Sequence, residues 1–140
     1  MSDTSLEIEG YRTVDNPTAE YISRALEQIT PRKPSFFILT RPDGSFVQAA
    51  GSRICLSVEV RFIRPNVFQH GIIGVETDDE DGSELTHVAY SCGTLVVQKK
   101  EVLKVRDAQI IFGAFLRTGQ IPMPYLVRDV TKLYENEDKE

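Results

Sequence analysis

Residues 103–125 of the chain read LKVRDAQIIFGAFLRTGQIPMPY, and this stretch decides the fold. Its apolar residues recur at intervals of three and four positions: Ala108, Ile111, Phe112, Phe115 and Leu116. That spacing places them on one face of an α-helix, in a stripe wide enough to cover a hydrophobic core. Asp107 lies in the first turn, where a carboxylate suits the positive end of the helix dipole. The helix is predicted to end at Gly119, a favourable left-handed cap, just before Pro122.

A first helix is predicted near the N-terminus, over residues 17–29. Asn16 can cap this helix, and Pro17 is tolerated at its first position. The apolar residues that keep helical spacing are Ile22, Ala25, Leu26 and Ile29. Residues 5–13 come before the helix, alternate weakly and are predicted to form an edge strand.

The centre of the chain is predicted to form antiparallel strands. Residues 36–41 and 45–50 flank the turn Pro42-Asp43-Gly44, which is typical of a hairpin. Residues 54–63 alternate between an apolar side, Ile54, Leu56, Val58, Val60 and Phe62, and a more polar side, Cys55, Ser57, Glu59 and Arg61. The apolar side is predicted to face the core and the polar side to meet water or a partner. Further strands are predicted at residues 68–75, 85–91, 94–98 and 125–130.

These elements predict an α+β fold. We expect a curved antiparallel meander of about five to seven strands, with two α-helices packed on one face of the sheet. Residues 1–128 are predicted to form a single domain. Residues 129–140 are highly charged and are predicted to be a flexible C-terminal tail.

The charge of the chain is acidic and unevenly distributed. Its 140 residues include 16 basic and 21 acidic side chains, which gives a net charge of −5. Six acidic residues lie together with no basic residue between them: Glu76, Asp78, Asp79, Glu80, Asp81 and Glu84. This balance argues against direct contact with nucleic acid, whose phosphates would be repelled, and favours a basic protein partner. The alternative is that the acidic run is only a solvated loop.

The side chains able to carry out chemistry are few: His70, His87, Cys55 and Cys92. No two of them have the spacing of a zinc motif such as CxxC or HxxxH, so we predict no metal. The cysteines lie in apolar runs, which is typical of buried, reduced thiols in a cytosolic protein. The phosphate-binding, dinucleotide and nucleophile-elbow motifs are missing, so we predict no cofactor and no enzymatic activity. An enzyme that uses His70 or His87 is kept as a third hypothesis.

The sequence also predicts a cytoplasmic location. The first ten residues, MSDTSLEIEG, are acidic and lack the apolar segment of a secretion signal. No apolar run approaches the length needed to cross a membrane, so no membrane partner is expected.

Two groups of residues resemble a known family. The first group is Asp107-Ala108, Phe112, Phe115, Thr118-Gly119 and Ile121-Pro122. The second group is Leu39-Thr40-Arg41-Pro42-Asp43-Gly44-Ser45 and Gly51. Over residues 36–127 the chain resembles the first-numbered immunity family of bacterial polymorphic toxin systems. Tyr125 or Leu126 stands where members of that family often carry a tryptophan.

The resemblance implies an immunity protein, or antitoxin. Such a protein binds and occludes a cognate bacterial toxin that is secreted or delivered by contact. The resemblance further implies a toxin that acts on nucleic acid, such as a deaminase or a nuclease. An acidic inhibitor would suit the basic active-site groove of such a toxin.

Candidate partner-binding residues follow from charge and strand position. They are Glu59, Arg61, His70, Glu76, Asp78, Asp79, Glu80, Asp81, Glu84 and Tyr90. The alternative function is a small ligand-binding or regulatory domain with a pocket between sheet and helices. The oligomeric state stays open.

Overall fold

The computed structural model describes residues 3–138 of the chain, and side chains to residue 135. This part of the chain contains nine β-strands, three α-helices and a 3₁₀ helix at Lys99–Glu101. The strands are β1 (Ser5–Ile8), β2 (Val14–Asp15), β3 (Phe36–Thr40), β4 (Phe46–Gly51), β5 (Leu56–Arg64), β6 (Val67–Gly74), β7 (Leu85–Tyr90), β8 (Gly93–Gln98) and β9 (Leu126–Asp129). The helices are α1 (Ala19–Leu26), α2 (Val105–Thr118) and α3 (Thr131–Asp138).

Seven strands form one antiparallel sheet in the order β2-β1-β3-β4-β5-β6-β9. Strands β3 to β6 follow one another as a meander, and the predicted α+β fold is confirmed. The hairpin of β7 and β8 also forms as predicted, but it is a separate two-stranded sheet. Strand β1 is not an edge strand, since it pairs with both β2 and β3.

The main core lies between the seven-stranded sheet and helices α1 and α2. The helices contribute fully buried side chains such as Leu26 of α1 and Phe112 and Phe115 of α2. The strands contribute alternate residues, such as Phe37 of β3 and Val58 of β5. The helical period of 3.6 and the strand period of two therefore meet at one interface, as the sequence predicted.

The opposite face of the sheet is covered by the hairpin and by α3. Val88 and Val97 of the hairpin form a second apolar cluster with Ile72 of β6. The prediction that the polar side of β5 meets water is therefore wrong for Ser57 and Glu59, which are both buried. These residues are buried because the hairpin and α3 fold over this side of the sheet, which strand alternation alone does not predict.

The C-terminal end of α2 matches its prediction closely. Gly119 has a left-handed φ of 73°, and its N–H donates to the carbonyl oxygen of Phe115 at 2.9 Å. The Nη1 of Arg41 donates to the carbonyl oxygens of Phe115 and Leu116 at 2.9 and 2.8 Å. A cation at this end is favoured by the helix dipole. The β3–β4 turn and the end of α2, which carry the family resemblance, are thus in contact.

The N-terminal end of α2 is joined to the segment before β9. Asp107 accepts a hydrogen bond from the backbone N–H of Lys104 at 3.0 Å and another from the hydroxyl of Tyr125 at 2.6 Å. Burial first, and then the bond to Asp107, raise the pKa of Tyr125. The second bond holds Tyr125 against the start of the helix.

Helix α1 begins later than its sequence predicts. The cap is Thr18, whose hydroxyl accepts a hydrogen bond from the N–H of Tyr21 at 3.1 Å. Asn16, the predicted cap, instead adopts a positive φ of 51° in the loop before the helix. Threonine and asparagine both cap helices well, and residue type alone does not choose between them.

Strand β9 forms where the sequence predicted a last strand, at residues 125–130. The structure places α3 in the region where the sequence predicted a flexible tail, residues 129–140. Val130 is buried, and Tyr134 packs against the second apolar cluster. Packing of Val130 and Tyr134 holds this short helix against the sheet, although the charged composition alone indicates a tail. Residues 139 and 140 of the predicted tail lie outside the described residues. Within the described part, no helix is long and apolar enough to cross a membrane.

Candidate partner-binding surface

The acidic loop, residues 76–84, connects β6 to β7. All six of its carboxylate side chains are exposed. Its ends are fixed by backbone hydrogen bonds: Val75 donates to Lys100, Lys100 donates to Gly82, and Lys99 donates to Glu84, all at 2.9–3.0 Å. The loop is therefore held against the 3₁₀ helix that follows the hairpin.

One lysine partly neutralises the acidic loop. The Nζ of Lys99 lies 3.1 Å from the Oδ2 of Asp81 and 3.9 Å from an oxygen of Glu84. The hydrogen bond to Asp81, followed by the charges of both carboxylates, raises the pKa of Lys99. These pairs are exposed and contribute little to stability. Among the described residues, no ion pair involves the other four carboxylates, so the loop keeps most of its negative charge.

The hairpin beside the loop presents an exposed outer face. We define this hairpin outer face as Leu85, His87, Ala89, Thr94 and Val96. Leu85 and Val96 are 66% and 52% exposed, whereas Val88 and Val97 on the inner face are buried. Because Glu84 directly precedes Leu85, an apolar strip begins where the acidic loop ends.

Glu59, Arg61, His70 and Tyr134 form a polar cluster beneath α3, which we call the His70 cluster. The Nε2 of His70 lies 2.7 Å from Oε1 of Glu59, and Nε of Arg61 donates to Nδ1 of His70 at 3.0 Å. The hydroxyl of Tyr134 donates to the same Glu59 oxygen at 3.1 Å. An arginine can only donate, so Nδ1 of His70 accepts from Arg61, and Nε2 is the ring nitrogen that faces Glu59.

The His70 cluster ties α3 to the sheet. The ring of Tyr134 lies 4.2 Å from that of His70, measured between centroids. The backbone N–H of His70 donates to Oγ1 of Thr131 at 2.9 Å, and the N–H of Val130 donates to the carbonyl oxygen of His70 at 2.8 Å. Both imidazole nitrogens are engaged, so neither is open to a substrate.

The predicted partner residues thus fall into two groups. The six carboxylates of the acidic loop are on the surface, while Glu59 and His70 are 8% and 5% exposed and offer a partner little to contact. Arg61 and Tyr90 are half-buried. Burial first, and then the charges of Cys92, Glu59 and Glu9, raise the pKa of Tyr90. Only the acidic loop of the predicted set forms an open, continuous surface.

The tip of the hairpin is fixed by a polar contact that sequence reasoning missed. Glu9 accepts hydrogen bonds from the N–H and hydroxyl of Ser35, both at 2.7 Å, and from the hydroxyl of Ser91. Burial alone would raise the pKa of Glu9, but the bonds from Ser91 and Ser35 outweigh it, so the pKa is lowered. Next to Ser91, Cys92 is a free and exposed thiol, so its predicted burial is wrong.

A groove of about 800 Å³ lies between α1, the end of β1 and the loop before β3. Ile8 and Phe37 are at its base, and the exposed rings of Tyr11 and Tyr21 line it. The alternative function predicts a pocket between sheet and helices, but no sequence motif marks this groove, because its lining residues are scattered over residues 8–37.

Comparison of the chain with protein-family models, curated proteins and solved structures gave no match. Among the described residues, no group of three histidine, cysteine, aspartate or glutamate side chains is arranged to hold a metal ion.

Proposed function

We propose that this chain is an immunity protein that binds a basic toxin through the acidic loop and the hairpin outer face. The observation that carries the proposal is the junction of these two surfaces at Glu84 and Leu85. Protein-binding surfaces commonly combine an apolar centre with a charged rim. The proposed site therefore excludes the buried His70 cluster and retains the six loop carboxylates.

The two surfaces have different roles in this proposal. The loop carboxylates attract a basic toxin groove at a distance and speed the encounter. Leu85 and Val96 supply apolar area that becomes buried in the complex, and full burial of such a side chain contributes about 1.5–3 kcal/mol. Charge therefore selects the partner, while the apolar strip slows dissociation.

A toxin as partner is proposed from the family resemblance. The two groups of residues that resemble the immunity family meet in the fold, where Arg41 caps the end of α2. A toxin that acts on nucleic acid needs cations to bind phosphate, and those cations would face the acidic loop. Occlusion of that groove would block the toxin without any chemistry by the inhibitor.

The first experiment is co-expression with a toxin encoded beside this gene. The wild-type protein should restore growth of a bacterium that produces the toxin, and the purified pair should form a one-to-one complex. A chain that neither binds nor protects against any neighbouring toxin would contradict the proposal.

A second experiment tests the surface. A loop variant carries lysine at Asp78, Asp79, Glu80 and Asp81. A control variant carries lysine at four exposed acidic residues elsewhere, Glu7, Asp15, Glu20 and Glu27, and has the same net charge. At low salt the loop variant should associate with the toxin at least about tenfold more slowly than the control variant. Equal association rates would show that the loop is only solvated.

The alternative, a small ligand-binding domain, is favoured by one observation. The groove beside α1 lies between the sheet and a helix and has an apolar base with polar side chains around it. Concave sites of this kind and volume are where proteins bind small molecules.

A further inference from the structure

The groove between α1 and β1 combines an apolar base with two aromatic walls. Phe37 and Pro34 are buried beneath it, and Ile8 is half-buried. Tyr11 and Tyr21 are 66% and 45% exposed, although each has a large apolar ring. Tyrosine binds planar ligands at low cost, because its ring is rigid and little rotamer freedom is lost.

The positions of both tyrosines are set by local hydrogen bonds. Tyr11 lies in the β1–β2 turn, where its N–H donates to the carbonyl oxygen of Ile8 at 2.9 Å. Tyr21 lies in the first turn of α1, and its N–H donates to the hydroxyl of Thr18, the N-cap of the helix. Both rings therefore project from backbone that is already fixed, and both line the groove.

The charged residues that line the groove carry a small net positive charge. Glu20, Arg24 and Lys33 are its charged lining residues, and they sum to +1. Arg24 and Glu20 pair with each other at 2.7 Å along the helix. Among the described residues, no ion pair within 4 Å involves Lys33, although its charge acts on the nearby Glu9 and lowers the pKa of that carboxyl. Lys33 is therefore the lining cation that a ligand can approach.

The side chain of Lys33 packs against the backbone of Gly10. A Cβ built on Gly10 would lie 2.0 Å from Cε of Lys33, so the lysine lies directly across the glycine. The φ of Gly10 is +78°, a conformation that glycine adopts easily. Lys33 also favours the ionised form of Glu9, whose carboxylate is already bonded to Ser35 and Ser91.

We propose that this groove binds a small aromatic carboxylate. The planar ring lies between Tyr11 and Tyr21 over Phe37, and the carboxylate pairs with the ammonium group of Lys33. The inference deepens the alternative function and is independent of the toxin partner, because the acidic loop contributes no residue to the groove.

The test is an NMR titration of the full chain with three probes. Naphthalene-2-carboxylate has both proposed features, naphthalene-2-methanol has only the ring, and cyclohexanecarboxylate has only the charge. Naphthalene-2-carboxylate should bind saturably, shift the ring signals of Tyr11 and Tyr21, and bind about fivefold more tightly than either comparator. Unshifted tyrosine signals would overturn the proposal.

Variants then separate the two contacts. Lys33→Gln should weaken binding of naphthalene-2-carboxylate about fivefold and leave naphthalene-2-methanol unchanged. Tyr21→Ala should weaken both aromatic probes, while Lys104→Gln, at an exposed lysine outside the groove, should alter neither. A Lys33→Gln chain that binds like the wild type would overturn the assigned charge contact.

The variant with lysine at residues 78–81 separates this proposal from the toxin proposal. It should bind naphthalene-2-carboxylate as the wild type does, whatever it does to toxin binding. Loss of naphthalene-2-carboxylate binding in that variant would overturn the assignment of the binding site to the groove.

Discussion

Replacement of His70 by alanine should destabilise the fold and loosen α3. The imidazole bonds to Glu59 and Arg61, and its ring lies against Tyr134 on one side and Phe46 on another. Removal of the ring leaves the buried carboxylate of Glu59 with one donor fewer and opens space beneath the helix. This variant therefore tests whether the His70 cluster acts as a structural tie.

The magnitude follows from these contacts. A hydrogen bond to a charged group contributes about 1.5–3 kcal/mol, and a packed ring pair adds about 0.5–1.5 kcal/mol. We expect His70→Ala to lower the free energy of unfolding by about 2–4 kcal/mol. That is a large part of the 5–15 kcal/mol typical of a domain. Amide hydrogen exchange should increase more in α3 than in the other helices and strands.

The chain offers a matched control in its other histidine. His87 is exposed on the hairpin outer face, so His87→Ala should change the free energy of unfolding by no more than about 0.5 kcal/mol. His70→Gln should recover part of the loss, because its amide can donate to Glu59. Urea unfolding followed by circular dichroism measures all three variants. Equal stabilities for the two alanine variants would refute the reasoning.

Three further predictions concern the core, the stability of the fold at acid pH, and the hairpin. Phe112→Ala should cost about 3–5 kcal/mol in urea unfolding, whereas Ile110→Ala, on the exposed side of the same helix, should cost far less. The pKa of Glu9 in the folded chain lies below its usual value of 4.5. The ionised Glu9 therefore stabilises the fold above pH 4.5, and this stabilisation is lost as the pH falls through the lowered pKa. Glu9→Gln should flatten this part of the stability–pH curve. Val97→Ala should destabilise the chain by about 1–3 kcal/mol, and its neighbour Val96→Ala should instead weaken toxin binding without loss of stability.

Much of the fold could be predicted because local periodicity fixes it. The stripe on α2, its Gly119 cap and the strands around the Pro42-Asp43-Gly44 turn all form at or near their predicted positions. The placement of the hairpin could not be predicted, because Val88 and Val97 show only that one side is apolar. Which surface that side covers depends on contacts distant in sequence.

The buried polar contacts were beyond sequence reasoning for the same reason. Antiparallel register places Arg61 opposite His70, and only a turn of the right length between β5 and β6 creates that pairing. Glu9 and Ser91 are 82 residues apart and carry no motif. Alternation correctly identified one polar side of β5, but it did not indicate whether water or α3 would cover it.

Under the proposed function, the hairpin would serve both stability and partner binding. Its inner face closes the second apolar cluster, and its tip is bonded to Glu9 through Ser91. At its other end, Lys99 and Lys100 hold the acidic loop by backbone hydrogen bonds. The outer face and the loop are therefore parts of one fixed unit, and a partner would meet a surface already ordered. Since ordering of flexible groups opposes association, this arrangement favours tight binding by a small apolar strip.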